Sequence, residues 1–185
     1  MLEINLSPFP VITTARLLLG PIQIADATAL LLLRSDEKVM QYIDKERTTT
    51  IAEAEALIKH INNDADNNNG ITWRISLKDA DPNQLVGTIG FWRIIKQHHR
   101  AEIGYMLHPG LWGKGFMQEA LQAVIDFGFN NMQLHSIEAH INPANAASAG
   151  ILEKMGFIRE AYFKEDFYFR GKFLDSAIYS LLNKK

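Results

Sequence analysis

Between residues 71 and 78, apolar Ile71, Trp73, Ile75 and Leu77 alternate with Thr72, Arg74, Ser76 and Lys78. A period of two predicts a half-buried strand. The turn over 79–83 and the apolar stretch over 85–95 complete a hairpin with it, and 101–108 reads as a third strand beyond the polar Lys96-Gln97-His98-His99. Residues 16–19 and 136–142 read as further strands, ended by Gly20-Pro21 and Pro143, and Arg170-Gly171-Lys172 marks the turn of a last hairpin. Helical spacing governs the segments between. Asp26 is placed to cap a short helix over 27–33, and Thr50-Ile51-Ala52-Glu53 has the form of a capping box. Ile51, Ala54, Leu57, Ile58 and Ile61 follow at helical intervals up to the Asn67-Asn68-Asn69-Gly70 turn. Met117, Ala120, Leu121, Val124 and Ile125 form the stripe of another helix, expected to end near Gly128. Asn145 is placed as the N-cap of a helix carrying Ala149, Leu152 and Met155, which Gly156 closes.

Composition narrows the functional classes. With 185 residues, 47% of them hydrophobic, the chain reads as a single domain over 1–185 with its own core. A formal charge of −2 gives no general attraction to nucleic acid or to an anionic membrane. Cysteine is absent, so a disulfide framework and a thiol nucleophile are both out of reach. The start, Met1-Leu2-Glu3-Ile4-Asn5, lacks the pattern of a signal peptide, and a cytoplasmic protein is expected.

The chemistry concentrates in Gly104-Tyr105-Met106-Leu107-His108-Pro109-Gly110-Leu111-Trp112-Gly113-Lys114-Gly115-Phe116-Met117-Gln118-Glu119-Ala120-Leu121, a strand, a glycine turn and a helix start in succession. The first N–H groups of a helix have no intrahelical partner and carry partial positive charge, so this corner is expected to hold a phosphate or diphosphate. Gly113 and Gly115 allow the main chain to approach it. The turn has neither the Gly-Lys-Ser/Thr ending of a P-loop nor a three-glycine dinucleotide fingerprint.

These residues resemble the GNAT superfamily of acetyl-CoA-dependent N-acetyltransferases, whose signature is Arg or Gln, two residues, Gly, one residue, then Gly or Ala. Trp112-Gly113-Lys114-Gly115-Phe116-Met117 departs from the general form at its first and last positions and is similar there to the ribosomal-protein N-terminal acetyltransferase branch. Asn142-Pro143 through Asn145-Ala146-Ala147-Ser148, then Glu153-Lys154-Met155-Gly156-Phe157, and later Arg170-Gly171-Lys172 with Asp175, match further landmarks of that branch. The resemblance implies an α/β (α+β) fold: a mixed, mostly antiparallel sheet of six to seven strands, splayed in the middle, with helices on both faces. Strands 101–108 and 136–142 would part to admit the pantetheine arm, with a bulge in the first of them.

The same resemblance implies acetyl-CoA as co-substrate and no metal. Gly113, Lys114, Gly115, Phe116 and Met117 would bind its diphosphate, Met106 and Leu107 its pantetheine arm, Asn145 would contact it from the next helix, and Asn142, at the end of the strand before it, is a further cofactor contact. Trp112 would wall the channel. Glu102, on the face opposite Ile103, Tyr105 and Leu107, is the candidate base, working through an ordered water; the alternative is a surface carboxylate paired with Arg100 or Lys96. Ser148 occupies the branch's proton-donor position, against a plain helix-surface serine. A second carboxylate proposed as base in that branch falls on Phe167 here, leaving Glu160, Glu165 and Asp166 nearby, which read as solvated hairpin charges. Of six histidines, His135 and His140 would point to opposite faces of one strand, and His98-His99 has no carboxylate or cysteine at ligand spacing, which argues against a metal site. His108 reads as a strand-end residue beside the turn. The acceptor is expected to be a protein N-terminal α-amine such as that of a ribosomal protein. The alternatives are a small-molecule amine (a polyamine, amino sugar or amino acid) or a non-catalytic CoA-binding sensor. The resemblance is also compatible with a homodimer.

Overall fold

In the computed structural model, residues 2–81 and 84–184 are described; of the turn expected over 79–83, residues 82 and 83 lie outside them. Eight strands form one sheet in the order β1-β2-β3-β4-β5-β6-β8-β7. They are β1 (Ile12–Thr13), β2 (Leu17–Pro21), β3 (Ile71–Leu77), β4 (Gly87–Ile95), β5 (Arg100–Leu107), β6 (Ser136–Ile141), β7 (Ile158–Phe169) and β8 (Lys172–Leu182). The eighth strand, beyond the six or seven expected, is β1, two residues long and too short to leave a periodic signal. Every adjacent pair is antiparallel except β5 and β6.

Helices cover both faces. α1 (Ala27–Ser35), α2 (Glu37–Met40) and α3 (Ile51–Asp66) lie over one face, where Ile22, Leu30, Leu33, Ala54 and Ile58 form a compact cluster with Met106 of β5 against it. On the other face α4 (Phe116–Asn130) and α5 (Ala146–Lys154) bury Leu121, Val124 and Leu152 in the main core around Trp73, Phe91 and Ile137. Strand β3 is therefore buried on both sides rather than on one. Its Arg74 lies inside, paired through Nη1 with Asp26 Oδ1 at 3.2 Å, and Ser76 bonds the Leu18 carbonyl. Asp26 occupies the N-cap position of α1 but gives that helix no side-chain cap, because its carboxylate serves Arg74 and the Gln23 N–H. Helix α4 continues past Gly128 to Asn130; a Cβ at Gly128 would stand 2.7 Å from Phe91 Cζ, so the glycine marks a close helix-to-sheet contact instead of a helix end.

Strands β5 and β6 pair in parallel at Arg100–Ser136, Ala101–Ile137 and Glu102–Glu138, and no further. Beyond that point β5 runs on to Leu107 and β6 to Ile141 without bonding each other, so the sheet opens into a wedge with its apex at Glu102 and Glu138. The irregularity expected in 101–108 is in its neighbour: the register between β4 and β5 slips by one residue between Trp92 and Ile95, where Arg93 takes a left-handed φ of 46°. The extra residue re-aims the Arg93 side chain while leaving the β5 ladder regular through the wedge. Strands β7 and β8 turn through Arg170 and Gly171, both at positive φ, as a tight two-residue hairpin requires.

Candidate active site

Beyond the open end of the wedge, the chain leaves β5 through a 3-10 turn at Pro109–Leu111 and enters α4. His108 Nδ1 accepts the Gly110 N–H, so that histidine shapes the turn. Gly113 and Gly115 adopt φ of 72° and 78°, a region that favours glycine. Gly115 is the N-cap of α4 and no side chain caps this end; the Glu119 N–H bonds the Gly115 carbonyl at 3.1 Å. A Cβ at Gly113 would meet nothing within 4 Å, leaving an open approach to the helix start. Uncapped amides behind an open approach fit a diphosphate.

The turn is braced from far away in sequence. Arg16 Nη1 donates to the Lys114 carbonyl at 3.0 Å, Arg16 Nε pairs with Glu119 Oε2 at 2.6 Å, and the guanidinium lies 4.3 Å from the Phe116 ring centroid. Glu119 also accepts the Thr14 hydroxyl and the Arg16 main-chain N–H. Burial alone would raise the Glu119 carboxyl, but these bonds hold it below its ordinary value. Lys114 Nζ is turned back to the Gly110 carbonyl. Met117 is half-buried against the main core.

Along the wedge, the His108 N–H bonds the Val86 carbonyl at 2.8 Å, which fixes the alternation of the β4–β5 ladder. The main-chain groups of Met106 therefore face β4, and those of residues 103, 105 and 107 face the opening. Of the latter, the Leu107 carbonyl accepts the Trp112 indole N–H at 2.8 Å, which pins a half-exposed ring across the strand end.

Two side-chain groups flank the wedge on opposite faces. On the α1–α3 face stands Glu102, only 4% exposed. Its partner is neither Arg100 nor Lys96 but Arg93, with Nη1 at 3.2 Å from Oε2. Arg100 instead binds Glu138, the residue opposite Glu102 in the register of β5 and β6. Glu102, Glu138 and His140 bring their ligand atoms within 4.8 Å of one another, and His140 Nε2 is 3.5 Å from Glu138 Oε1. Spacing along the chain hid this group, since two carboxylates from neighbouring strands and a histidine meet only across the ladder. Arg100 holds Glu138, but Glu102 Oε2, although 3.2 Å from the exposed Arg93, receives no hydrogen bond among the described residues, so its charge is matched while that oxygen is left for an incoming donor. Lys45 completes the surroundings, its Nζ 3.5 Å from the Trp92 ring centroid. Partial burial lowers its affinity for a proton; Arg34 and Arg93 lower it further, and Glu102 opposes them.

On the other face, Tyr105 Oη lies 2.7 Å from Ser148 Oγ. Ser148 is 8% exposed, on the first turn of α5 and therefore not a surface serine. Burial pushes the Tyr105 phenol up to about 12, with the Ser148 hydrogen bond pulling slightly the other way. A folded-state value above the unfolded one of ~10 means that the phenol's contribution to stability is complete below pH ~10 and disappears as pH rises toward 12. Alkaline unfolding followed by circular dichroism should show this loss in the parent protein and not in Tyr105→Phe. Asn145 caps α5 by accepting the Ser148 N–H at 3.0 Å, which fixes the height of that serine, and Asn142 Oδ1 accepts the Ala144 N–H. Both side-chain oxygens are committed to the chain, leaving the amide N–H groups as the donors each can offer a ligand.

The remaining acidic candidates stand apart. Glu165 and Asp166 lie on the exposed stretch of β7, where Asp166 accepts the Ser176 hydroxyl and the Glu165 N–H bonds Asp175; Glu160 and Phe167 are exposed there as well. Sequence reasoning passed over Tyr105, Arg16, Glu138 and Lys45. A polar residue on an otherwise apolar strand face was the available signal for Tyr105, and the other three gave none.

The model for the acetyltransferase (GNAT) domain matches residues 16–158 of the chain. The uncharacterized N-acetyltransferase YoaA of Bacillus subtilis is 34% identical over 177 residues, 96% of this chain and 99% of that protein. A crystal structure of a GNAT-family acetyltransferase from Bacillus anthracis superposes with a TM-score of 0.83 at 30% identity, covering 95% of this chain and all of that one. Some relatives have named acceptors. The spermidine N(1)-acetyltransferase of Vibrio cholerae is 28% identical over 154 residues, 83% of this chain and 85% of its own. The ribosomal protein uS5 alanine N-acetyltransferase of Escherichia coli is 29% identical over 113 residues, 60% of this chain and 58% of its own.

Proposed function

The chain belongs to the GNAT acetyltransferase family and is an acyltransferase, and from that premise we propose that it acetylates a protein N-terminal α-amine at the wedge between β5 and β6. The observation carrying this reading is the alignment of three features on one opening: the uncapped start of α4 at its mouth, Glu102 at its apex on one face, and the Tyr105–Ser148 pair on the other. Acetyl-CoA, when bound, supplies the activated acetyl group as a thioester. The amides of residues 113–117 would hold its diphosphate, while Lys114, Phe116 and Met117 shape that turn. The main-chain groups of residues 103, 105 and 107 and the Trp112 ring would line the arm. Met106 then contributes through packing, and Asn142 and Asn145 through their amide N–H groups.

An α-amine titrates near ~8, so a fraction is already neutral at physiological pH, whereas a lysine near ~10.4 would need a stronger base. Glu102 attracts the ammonium form and accepts its proton through a water. Ser148 Oγ, backed by Tyr105 Oη, is the donor for the departing sulfur. Thiols titrate near ~8.5 and leave readily as thiolates, so this donor matters less than the base. Ser148→Ala and Tyr105→Phe are each expected to lower kcat by about 10-fold, and the double variant by little more than either. Losses that multiply would show that the two hydroxyls do not act as one unit.

A small-molecule acceptor is the second reading, favoured by the longer alignment with the spermidine enzyme. Purified protein given acetyl-CoA with either N-terminal peptides or spermidine, with thiol release as readout, decides between them. Tight acetyl-CoA binding with no release under any amine would instead identify a sensor.

A further inference from the structure

On the α1–α3 side the wedge leads to a pocket between the segment after α2 and the tip of the β7–β8 hairpin. Its lining includes Lys45, Arg47, Arg170 and Lys172 against one carboxylate, Asp44. Two of the four cations are paired: Arg47 with Glu37 at 2.9 Å and Arg170 with Glu46 at 2.6 Å. Lys172 is exposed and, among the described residues, neither it nor Lys45 forms a close ion pair with a carboxylate. Asp44 offsets only one of the two, so the lining keeps an excess of positive charge. Closer to the apex, Lys45 feels Arg34, Arg93 and Glu102, while the neighbouring Glu138 is taken by Arg100.

The site is thus bipolar: buried carboxylates at the apex where an amine would react, Glu102 and the Arg100-bound Glu138, then a vestibule with excess positive charge where the rest of the acceptor would lie. An acceptor suited to both ends is cationic at its reacting group and anionic beyond it. We propose that the acceptor is an N-terminus whose next residues are acidic, with Lys45 and Lys172 reading the acidic side chains. This inference rests on the acetyltransferase reading above and narrows its acceptor. A polyamine would place its second ammonium among like charges, where proximity is unfavourable.

The test uses peptides that share the first residue and differ in the next three: acidic, neutral amide or basic. Thiol release from acetyl-CoA should give kcat/KM at least ~10-fold higher for the acidic peptide than for the basic one, with the gap shrinking as salt screens the charges. Lys172→Glu should narrow or invert that order, chiefly through KM, and acetyl-CoA titration of the variant reports that it is folded. Equal kcat/KM for acidic and basic peptides, or spermidine outrunning all three, would overturn the charge assignment while leaving acetyl transfer intact. No thiol release with any amine, despite acetyl-CoA binding, would overturn the transfer reading itself.

Discussion

Glu102→Gln is expected to lower kcat by about 10²- to 10³-fold, the range typical of a lost general base, with acetyl-CoA affinity unchanged. The substitution keeps the shape of a side chain that is almost wholly enclosed, and the partner it abandons is forgiving: the Arg93 side chain is 64% exposed and returns to water. A neutral amide is cheaper to enclose than a carboxylate whose Oε2 has no hydrogen-bond partner, so the fold should survive. Position and charge therefore separate cleanly in this variant. Steady-state kinetics across pH with a peptide acceptor is the measurement. A kcat equal to that of the parent at every pH would remove Glu102 from the mechanism. A loss that appears in Glu138→Gln and not in Glu102→Gln would move the base to the neighbouring strand, where Glu138 is equally buried and ends the same parallel ladder.

Gly115→Val should weaken acetyl-CoA binding by up to about 10²-fold, measured by calorimetry. The cause is conformational, since a Cβ there would stand 3.5 Å from Arg16 Nη2, an ordinary contact. What valine cannot adopt without cost is the φ of 78° that aims the first amides of α4 outward. A side chain forced into that region costs about 1–3 kcal/mol, and a β-branched one sits at the upper end. Relaxing the torsion would swing those amides away from a common point, so affinity is lost whether the strain is kept or released. An unchanged dissociation constant in a folded Gly115→Val protein would show that the diphosphate binds elsewhere.

The alternation of Ile71, Trp73, Ile75 and Leu77 and the stripe from Met117 to Ile125 made most of the sheet and α4 legible, because each is a local pattern with a fixed period. The glycine turn was legible for a related reason: unusual torsions demand unusual residues. Burial of Arg74 was not, since a polar residue in an alternating strand looks solvent-facing until Asp26 arrives from another element to meet it. The same applies to Glu102, whose partner comes from a bulge in β4 and not from its own strand. Gly128 misled in the opposite direction; its role is to let Phe91 approach, which is a fact about the sheet rather than about the helix. Acceptor-side charge stayed hidden because Lys45 and Lys172 are far apart in sequence and meet only where the hairpin tip folds over the segment after α2.

Arg16 carries a consequence for protein engineering. Its bonds to Lys114 and Glu119 span about a hundred positions of the chain, so the geometry of the glycine turn is imposed by a neighbour the turn does not encode. Transplanting residues 112–117 into another scaffold would carry over the letters without the splint that holds them. A graft that brought a guanidinium to the same carbonyl would succeed where a longer stretch of copied loop fails.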